Sequence, residues 1–252
     1  MRKLAMMLVC GVCVALSPLD AAAQGSWEDR VYMNVNFGVE SGDSTVSGTR
    51  TGTVYDEPAQ VASTTNWTSG SLFDVGVGVR LFKNFSAGIG YHQELNTTSA
   101  EVSGSIPHPV FFNRPRSFLH TEEGLERKEL ATHLVLGWTV PVGTKLDVMV
   151  FGGPSFFRLN MDVVSDFIIA ERGSPYTEVV VDPIVTRESK SVVGYNVGAD
   201  VSYMAWENDN VRVGAGAFVR FTGATAEVTV LSTPNDTKVG GIQFGFGGRV
   251  RF

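Results

Sequence analysis

Residues 240–252 read GGIQFGFGGRVRF, and their apolar side chains fall on every second position, at Ile242, Phe244, Phe246, Val250 and Phe252. A period of two indicates a β-strand. One face of this strand is apolar and ends in an aromatic ring, and the other carries glycine, Gln243, Arg249 and Arg251. Such a strand requires neighbours on both edges and an apolar medium against one face.

The preceding chain contains seven more segments with the same alternation. They are predicted at about residues 31–40, 72–82, 85–92, 130–140, 146–153, 193–203 and 211–221. Each carries Val, Leu, Ile or aromatic residues on one face and glycine or polar residues on the other. Most have about the length that a tilted strand needs to cross a bilayer. The sequence therefore predicts eight strands.

The connections between these segments alternate between short and long. Those after the second, fourth and sixth strands are turns of a few residues, and the other four are long: Ser41–Ser71, Gln93–Glu129, Arg158–Val192 and Thr222–Val239. An up-and-down meander places all short turns at one end and all long loops at the other, and an even strand count lets the first strand meet the last. We therefore predict an all-β fold, an eight-stranded antiparallel up-and-down transmembrane β-barrel. We expect its long-loop end to be extracellular and its short-turn end periplasmic.

A soluble barrel with an apolar interior would also alternate with a period of two, but two features favour the opposite orientation. Glycines recur on the polar face, as a narrow lumen filled by larger side chains requires. Aromatic residues on the apolar face concentrate towards the strand ends, which is typical of the two aromatic belts of a membrane barrel. Besides Phe252, the predicted belt residues are Phe37, Phe73, Phe82, Phe85, Tyr91, Trp138, Tyr195, Tyr203 and Phe221.

The N-terminal residues have the pattern of a secretory signal peptide. A basic Arg2-Lys3 pair precedes an apolar run, and Ala21-Ala22-Ala23 offers small residues for cleavage. We expect residues 1–23 to be removed and residues 24–252 to form one barrel with four long loops and three short turns. Both cysteines lie in the expected signal, so no disulfide is predicted in the mature chain. The formal net charge of −6 argues against nucleic acid as a partner.

The signal, the eight strands, the alternating connections and the terminal Arg-Val-Arg-Phe together resemble the small outer-membrane β-barrels of Gram-negative bacteria. The resemblance covers nearly all of the mature chain. It implies that Ile242, Phe244, Phe246, Val250 and Phe252 form the signal for the barrel-assembly machinery. It also implies periplasmic chaperones in transit and lipopolysaccharide among the membrane lipids around the barrel. We expect no peptidoglycan-binding domain after the barrel.

Charged residues on the inward face predict the state of the lumen. Six of them lie within a few residues of the short turns: Arg80, Asp147, Asp200, Arg212, Arg249 and Arg251. Asp74 and Arg220 lie higher. Because eight strands enclose a narrow interior and buried charges must pair, we expect an ionic plug. The alternative is a narrow channel for small anions, since arginines outnumber aspartates in this set.

Other candidate sites carry weaker signals. His92 and His133 point inward at similar heights, but no third ligand at a fixed spacing predicts a metal site. The aromatic residues of the second long loop are expected to pack within that loop, with a ligand or partner patch as the alternative. The charged run at 122–129 predicts a solvated extension of the fourth strand, with a divalent-cation or lipopolysaccharide contact as the alternative. A lipid-modifying enzyme is the third reading of the whole chain, disfavoured because neither inward histidine has an obvious serine partner. We therefore predict a non-enzymatic barrel without a cofactor, structural or binding through its loops.

Overall fold

The computed structural model describes residues 28–252, so the predicted signal peptide lies outside the described residues. No helix in this part of the chain is long and apolar enough to cross a membrane. The described residues form eleven strands: β1 (Val31–Ser41), β2 (Ser44–Val54), β3 (Glu57–Trp67), β4 (Gly70–Phe82), β5 (Phe85–Ile106), β6 (Arg116–Val142), β7 (Leu146–Glu171), β8 (Val179–Glu207), β9 (Arg212–Val230), β10 (Thr233–Val239) and β11 (Ile242–Arg251).

Eight of these strands pair antiparallel in a closed ring, in the order β1, β4, β5, β6, β7, β8, β9, β11. The ring closes because β1 pairs with β4 on one edge and with β11 on the other. Phe37 of β1 thus lies opposite both Phe73 and Phe246. Closure leaves the ring without a free edge. The predicted fold class is confirmed.

The strands extend much further than predicted at the long-loop end. The segments at 93–129 and 158–192 are mostly continuations of β5, β6, β7 and β8, and the segment at 41–71 folds into the β2–β3 hairpin. At 222–239, β9 continues and pairs with β10. The sequence alternates with a period of two at Glu178–Asp182 and Glu227–Leu231, and these segments fall almost entirely in the extensions of β8 and β9. We refer to residues 41–71, 93–129, 158–192 and 222–239 together as the head.

The inside and outside of the sheet exchange polarity where the barrel passes into the head. On β7 the inward side chains near the short-turn end include Asp147 and Ser155, and beyond them come Phe157, Leu159 and Met161, all buried. The outward residues change in the opposite sense, from apolar residues to Arg158, Asn160 and Asp162. The lower part therefore suits lipid outside and a polar interior, and the head suits water outside and an apolar interior.

The head has its own apolar core, which joins three sheets. The buried residues of this core include Val61 and Trp67 of β3, Val102 of β5, Leu159 of β7 and Val228 of β9. The β6 and β7 ladders separate beyond the pair Arg127 and Met161. Beyond that point β5 pairs with β6 on one edge and with β3 of the β2–β3 hairpin on the other, β7 pairs with β8, and β9 pairs with β10. Burial of this core between the three sheets stabilises the head.

Candidate functional site: the lumen and the head

Glycines and large side chains fill the lumen by complementary packing. Tyr32 is buried and projects over Gly78 and Gly88, which lie opposite each other on β4 and β5. A Cβ atom on Gly78 would clash with the ring of Tyr32, and one on Gly88 would lie 2.6 Å from its hydroxyl oxygen. Phe218 lies against Gly245 in the same way. Large side chains therefore occupy the space that the glycines leave.

The middle of the lumen contains a hydrogen-bonded chain of charged and amide groups. Arg220 Nη2 donates to Asp74 Oδ2 at 2.7 Å, and Asn36 Nδ2 donates to Asp74 Oδ1 at 2.8 Å. Arg249 Nη1 donates to Asn36 Oδ1 at 2.5 Å, and its Nη2 donates to Asp200 Oδ2 at 2.5 Å. Arg249 is fully buried. A cavity of only about 40 Å³ remains beside these groups, which is room for a few water molecules at most.

The chain of polar contacts continues to the short-turn end. Arg251 Nη2 donates to Ser202 Oγ at 3.1 Å, and Arg251 Nε lies 3.5 Å from Asp147 Oδ2. Arg212 Nη1 lies 3.6 Å from Asp147 Oδ2 and donates to Asp29 Oδ2 at 2.8 Å. The following predicted lumen charges therefore lie in polar contacts with one another or with neighbours: Asp74, Asp147, Asp200, Arg212, Arg220, Arg249 and Arg251. Arg80, the eighth predicted lumen charge, is half-buried, and its backbone NH donates to the Arg30 carbonyl.

The upper end of the lumen contains charges that the sequence did not predict there. Gln243 accepts a hydrogen bond from Arg220 Nε and donates to Glu40 Oε2, each at 2.5 Å. Above them, Glu129 pairs with Arg127 and accepts from the backbone NH of Gly240 at 2.8 Å. The expectation of a solvated extension at 122–129 is wrong for Arg127 and Glu129, which are buried. The two side chains point inward because β6 begins well before residue 130, the predicted start of the fourth strand, and its alternation continues through them.

These additional residues change the charge balance on which the anion-channel alternative rested. Three glutamates, Glu40, Glu94 and Glu129, face the interior along with the four aspartates at 29, 74, 147 and 200. Glu40 is the last residue of the first predicted strand and falls on its inward parity, and continuing the period of two by two residues past the third predicted strand would have reached Glu94. The lumen is therefore not predominantly cationic.

His92 and His133 lie side by side in the lumen and form part of a linear relay. His92 Nδ1 lies 2.7 Å from His133 Nε2, and His133 Nδ1 lies 2.7 Å from Ser155 Oγ. Asn196 Nδ2 donates to the same oxygen at 2.9 Å. At the other end of the relay, His92 Nε2 lies 3.8 Å from Glu40 Oε2, which is beyond hydrogen-bond distance. The contacts thus form a line from Asn196 to the acid, and the tautomers of the two histidines set the direction of each hydrogen bond between them.

A serine followed by a histidine and an acid is the order of groups that activates a nucleophile. The sequence analysis found no serine partner for these histidines, because Ser155 lies on another strand and only the β6–β7 register places it beside His133. However, Ser155, His133 and His92 are completely buried, and Asn196 occupies the other side of the serine oxygen. In residues 28–252, no group of three or more His, Cys, Asp or Glu side chains is arranged to hold a metal ion.

The outer surface carries the residues that the sequence assigned to the aromatic belts and the assembly signal. Phe82, Phe85 and Trp138 are neighbours near the short turns, and Phe37 lies beside Phe73 near the head with ring centroids 5.2 Å apart. All nine belt residues are exposed: Phe37, Phe73, Phe82, Phe85, Tyr91, Trp138, Tyr195, Tyr203 and Phe221. So are four of the five residues of the terminal pattern: Ile242, Phe244, Phe246 and Phe252. Val250 is half-buried on the same face.

The connection between β5 and β6 forms an apolar tip on the head. Val110, Phe111 and Phe112 are 61%, 55% and 71% exposed. The expectation that the aromatic residues of this loop pack within it is wrong for Phe112, whereas the ring of Phe111 lies 4.9 Å from that of His108. The tip is held in shape from below. His108 Nδ1 accepts hydrogen bonds from the backbone NH groups of Val110 and Phe111 at 3.1 and 3.2 Å, and Asn113 N donates to Glu57 Oε1 at 2.6 Å. The apolar side chains therefore project into solvent from an ordered turn.

Ion pairs fasten the strands of the head to one another. Arg116 of β6 forms a bidentate pair with Glu171 of β7 at 2.5 and 2.7 Å, and it also donates to the Pro107 carbonyl. Hydrogen bonding from Arg116 lowers the pKa of Glu171. Arg187 of β8 donates twice to Asp162 and, by the same effect, lowers the pKa of that carboxyl. Charge-assisted bidentate pairs are among the strongest polar contacts.

Comparison with known proteins agrees with this architecture. Residues 8–249 match the family described as the outer membrane protein beta-barrel domain. The chain belongs to this family. It is therefore an integral β-barrel protein of the bacterial outer membrane, and the resemblance inferred from its strands is confirmed. A search of the curated proteins finds no significant match.

Several solved barrels resemble this one in fold, at low sequence identity. Neisserial surface protein A is 12% identical, with 88% of this chain and 97% of that chain covered and a TM-score of 0.41. The outer membrane protein OprG from Pseudomonas aeruginosa is 11% identical, with 91% and 98% covered and a TM-score of 0.47. The outer membrane protease OmpT from Escherichia coli is 11% identical, with 92% and 97% covered and a TM-score of 0.34.

Proposed function

We propose that this protein is a non-enzymatic membrane anchor that presents a folded head for binding at the cell surface, above a plugged lumen. The observation that carries the proposal is the polarity exchange along the strands. A barrel that only had to span the membrane would not need strands such as β7 and β8 to continue over a second, apolar core. Crossing the membrane does not require the head, so the head must serve another function.

The polar contacts in the lumen favour the plug over the narrow channel. They run from Arg127 and Glu129 at the top to Arg212 and Asp29 at the bottom, and they engage opposite walls of the barrel. An ion crossing the lumen would have to displace these buried pairs. We expect refolded protein in planar bilayers to give no reproducible single-channel steps. Current steps of constant size would contradict the plugged lumen and favour the narrow channel as the function.

The relay of Ser155, His133 and His92 is the one observation that favours an enzyme, and its burial argues against turnover. A fluorophosphonate probe reacts with serine nucleophiles that a histidine activates and that solvent can reach. We expect folded protein to remain unlabelled. Labelling of the wild type that disappears in Ser155→Ala, while both retain heat-shifted mobility on SDS gels, would establish the enzymatic reading instead.

The exposed tip at Val110, Phe111 and Phe112 is the proposed contact surface. Large exposed apolar side chains clustered on an ordered turn are typical of partner sites. Cells displaying the wild-type protein should adhere to one another or to eukaryotic cell layers more than cells displaying a variant with serine at all three positions. Exposed apolar residues of the barrel, such as Leu136, Phe244 and Phe246, cannot be replaced by serine as a control, because they face lipid and their loss would disturb membrane insertion.

A matched control therefore changes exposed polar residues on the head instead. Thr45→Ser, Glu101→Gln and Ser189→Ala lie on β2, β5 and β8, away from the tip. This control should adhere like the wild type. If the tip variant reaches the surface in equal amount and adheres equally, the tip is not the contact surface.

A further inference from the structure

The connection between β5 and β6 lies at the end of the head that is remote from the membrane. The two strands pair from Phe85 and Trp138 near the short turns to Ile106 and Arg116, and the connection spans residues 107–115. Above the belt, residues 95–106 of β5 extend roughly 40 Å along the strand. The tip is therefore separated from the lipids around its own barrel by the full length of the head.

The backbone of the tip is hydrogen-bonded within the protein. His108 Nδ1 accepts from the NH groups of Val110 and Phe111, and Glu57 Oε1 accepts from that of Asn113. Three of the nine residues at 107–115 are prolines, which have no NH group. An NH group without a partner is costly in an apolar medium. The tip can therefore leave water at a lower cost than a loop whose NH groups depend on water for their hydrogen bonds.

The exposed apolar side chains of the tip follow one another directly in the sequence. No polar residue interrupts Val110, Phe111 and Phe112. A protein partner would need a pocket shaped to all three, because tight interfaces require complementary packing. A fluid apolar medium accepts three projecting side chains without such a match. The tip therefore suits a lipid bilayer better than a rigid surface.

A cation accompanies these apolar side chains. The guanidinium carbon of Arg114 lies 5.6 Å from the centre of the Phe111 ring. Arg114 is exposed, and no carboxylate of residues 28–252 lies within ion-pair distance of it, whereas Arg116 is bound to Glu171. Guanidinium groups bind phosphate, and cations beside aromatic side chains are typical of segments that lie in a membrane interface. The tip thus combines an apolar end with a group that complements a lipid headgroup.

We propose that the tip inserts into the phospholipid bilayer of an opposing cell, such as a eukaryotic plasma membrane. The side chains of Val110, Phe111 and Phe112 would enter the boundary between headgroups and acyl chains, and Arg114 would pair with a lipid phosphate. The inference rests on the proposed function, because it names what the proposed contact surface meets.

The first test reports on the environment of the tip. Protein purified from outer membranes is held in lipid nanodiscs, so that the barrel has its own lipids and the tip is free. The chain contains no cysteine after Cys13, so Phe112→Cys can be labelled alone once residues 1–23 have been removed. With the polarity-sensitive fluorophore NBD at this position, we expect the emission to rise and shift to the blue when phosphatidylcholine vesicles are added. The same label at Glu101→Cys, an exposed position on β5, should not change.

The second test measures binding without a label, by co-sedimentation of the nanodiscs with sucrose-loaded vesicles of phosphatidylcholine, with or without phosphatidylserine. The variant V110S/F111S/F112S should bind about tenfold less, because the apolar area that leaves water is lost. Arg114→Glu should bind severalfold less, because a carboxylate repels lipid phosphate. Lys238→Glu makes a similar charge reversal at an exposed residue near the base of the head and should bind like the wild type. Heat-shifted gel mobility shows that each variant has folded.

Two results would overturn the inference: vesicle binding that is equal in the wild type and the tip variant, or no binding and no emission change with either kind of vesicle. The adhesion of cells that display the two proteins then decides the fate of the proposed function. If the tip variant adheres less although the wild type ignores vesicles, the tip is still the contact surface and its partner is a protein or a glycan. If the two adhere equally, the tip is not the contact surface at all.

Discussion

Arg220 and Asp74 form a 2.7 Å ion pair across the lumen, although their strands are not neighbours in the ring. Arg220 lies on β9 and Asp74 on β4, with β11 and β1 between them. Both side chains are buried, and each has a second partner, Gln243 for the arginine and Asn36 for the aspartate. The pair therefore braces the barrel internally, and its loss leaves a buried charge without its main partner.

The first prediction concerns this brace. Arg220→Met should destabilise the barrel by about 3–5 kcal/mol, because Asp74 then stays buried without a cation. Changing both partners, as in R220M/D74L, should cost much less, since no buried charge of the pair remains. The measurement is the urea midpoint of unfolding in lipid vesicles. As a control, Arg172→Met in the exposed pair with Glu178 should change stability by less than about 1 kcal/mol.

The lumen-facing residues are predicted from the period-two alternation of each strand. This prediction is wrong only where a strand extends beyond its predicted bounds. Asp74 and Arg220 were assigned to the lumen because both fall on the inward parity of clearly alternating strands. Arg127 and Glu129 were assigned to solvent because the polarity of the pattern inverts there. A barrel strand alternates apolar outward residues with polar inward residues only where its outer face contacts lipid. Where the same strand extends into water its outer face becomes polar, and the pattern used to recognise it is absent.

The second prediction tests the packing of large side chains against glycine. Gly78→Ala should destabilise the barrel by about 1–3 kcal/mol, because the added methyl group meets the buried ring of Tyr32. Gly76→Ala, two residues away on the same strand, is the matched control. Its Cβ would have no neighbour nearer than the Ile89 carbonyl oxygen at 3.9 Å. Equal unfolding midpoints for the two variants would contradict this packing argument.

The contacts of the histidines were less accessible to sequence reasoning. His92 and His133 lie at similar distances from their turns, so the sequence predicts that they could face each other. The contact between Ser155 and His133 could not be predicted in this way, because it depends on the register between β6 and β7. Register depends on turn geometry and on packing across the lumen, and a single sequence constrains both only weakly.

The third prediction is an acid-induced opening of the head near the bidentate pair of Arg116 and Glu171. The pKa of Glu171 is lowered below its ordinary value of 4.5 by hydrogen bonding from Arg116. A carboxyl whose pKa is lowered on folding contributes stability that is present above the ordinary pKa and is lost as pH falls through the folded value. Amide exchange of residues 172–178 should therefore rise as the pH falls below about 4.5.

The variant Glu171→Gln provides the reference for this experiment. It lacks the titrating carboxyl, so its protection at 172–178 should be lower at neutral pH and should show less additional loss on acidification. Comparison of the two proteins at each pH removes the pH dependence of the exchange chemistry itself. Asp162 and Asp166, whose pKa values are also lowered, titrate in both proteins. A loss of protection identical in the wild type and the variant would contradict the role of Glu171.

The last prediction separates assembly in the cell from the stability of the folded barrel. The backbone NH and carbonyl of Phe252 pair with Val31, whereas its ring is 47% exposed on the outer surface. Phe252→Ser keeps those backbone bonds, so purified protein should refold and show heat-shifted mobility like the wild type. Its level in the outer membrane of growing cells should fall severalfold if the assembly machinery recognises the terminal aromatic ring.

Phe82→Ser, which removes a 63% exposed ring at the same end of the barrel, is the control and should assemble at a higher level than Phe252→Ser. Equal levels of the two variants would show that the terminal position has no special role, and that any loss reflects the removal of a membrane-facing aromatic ring.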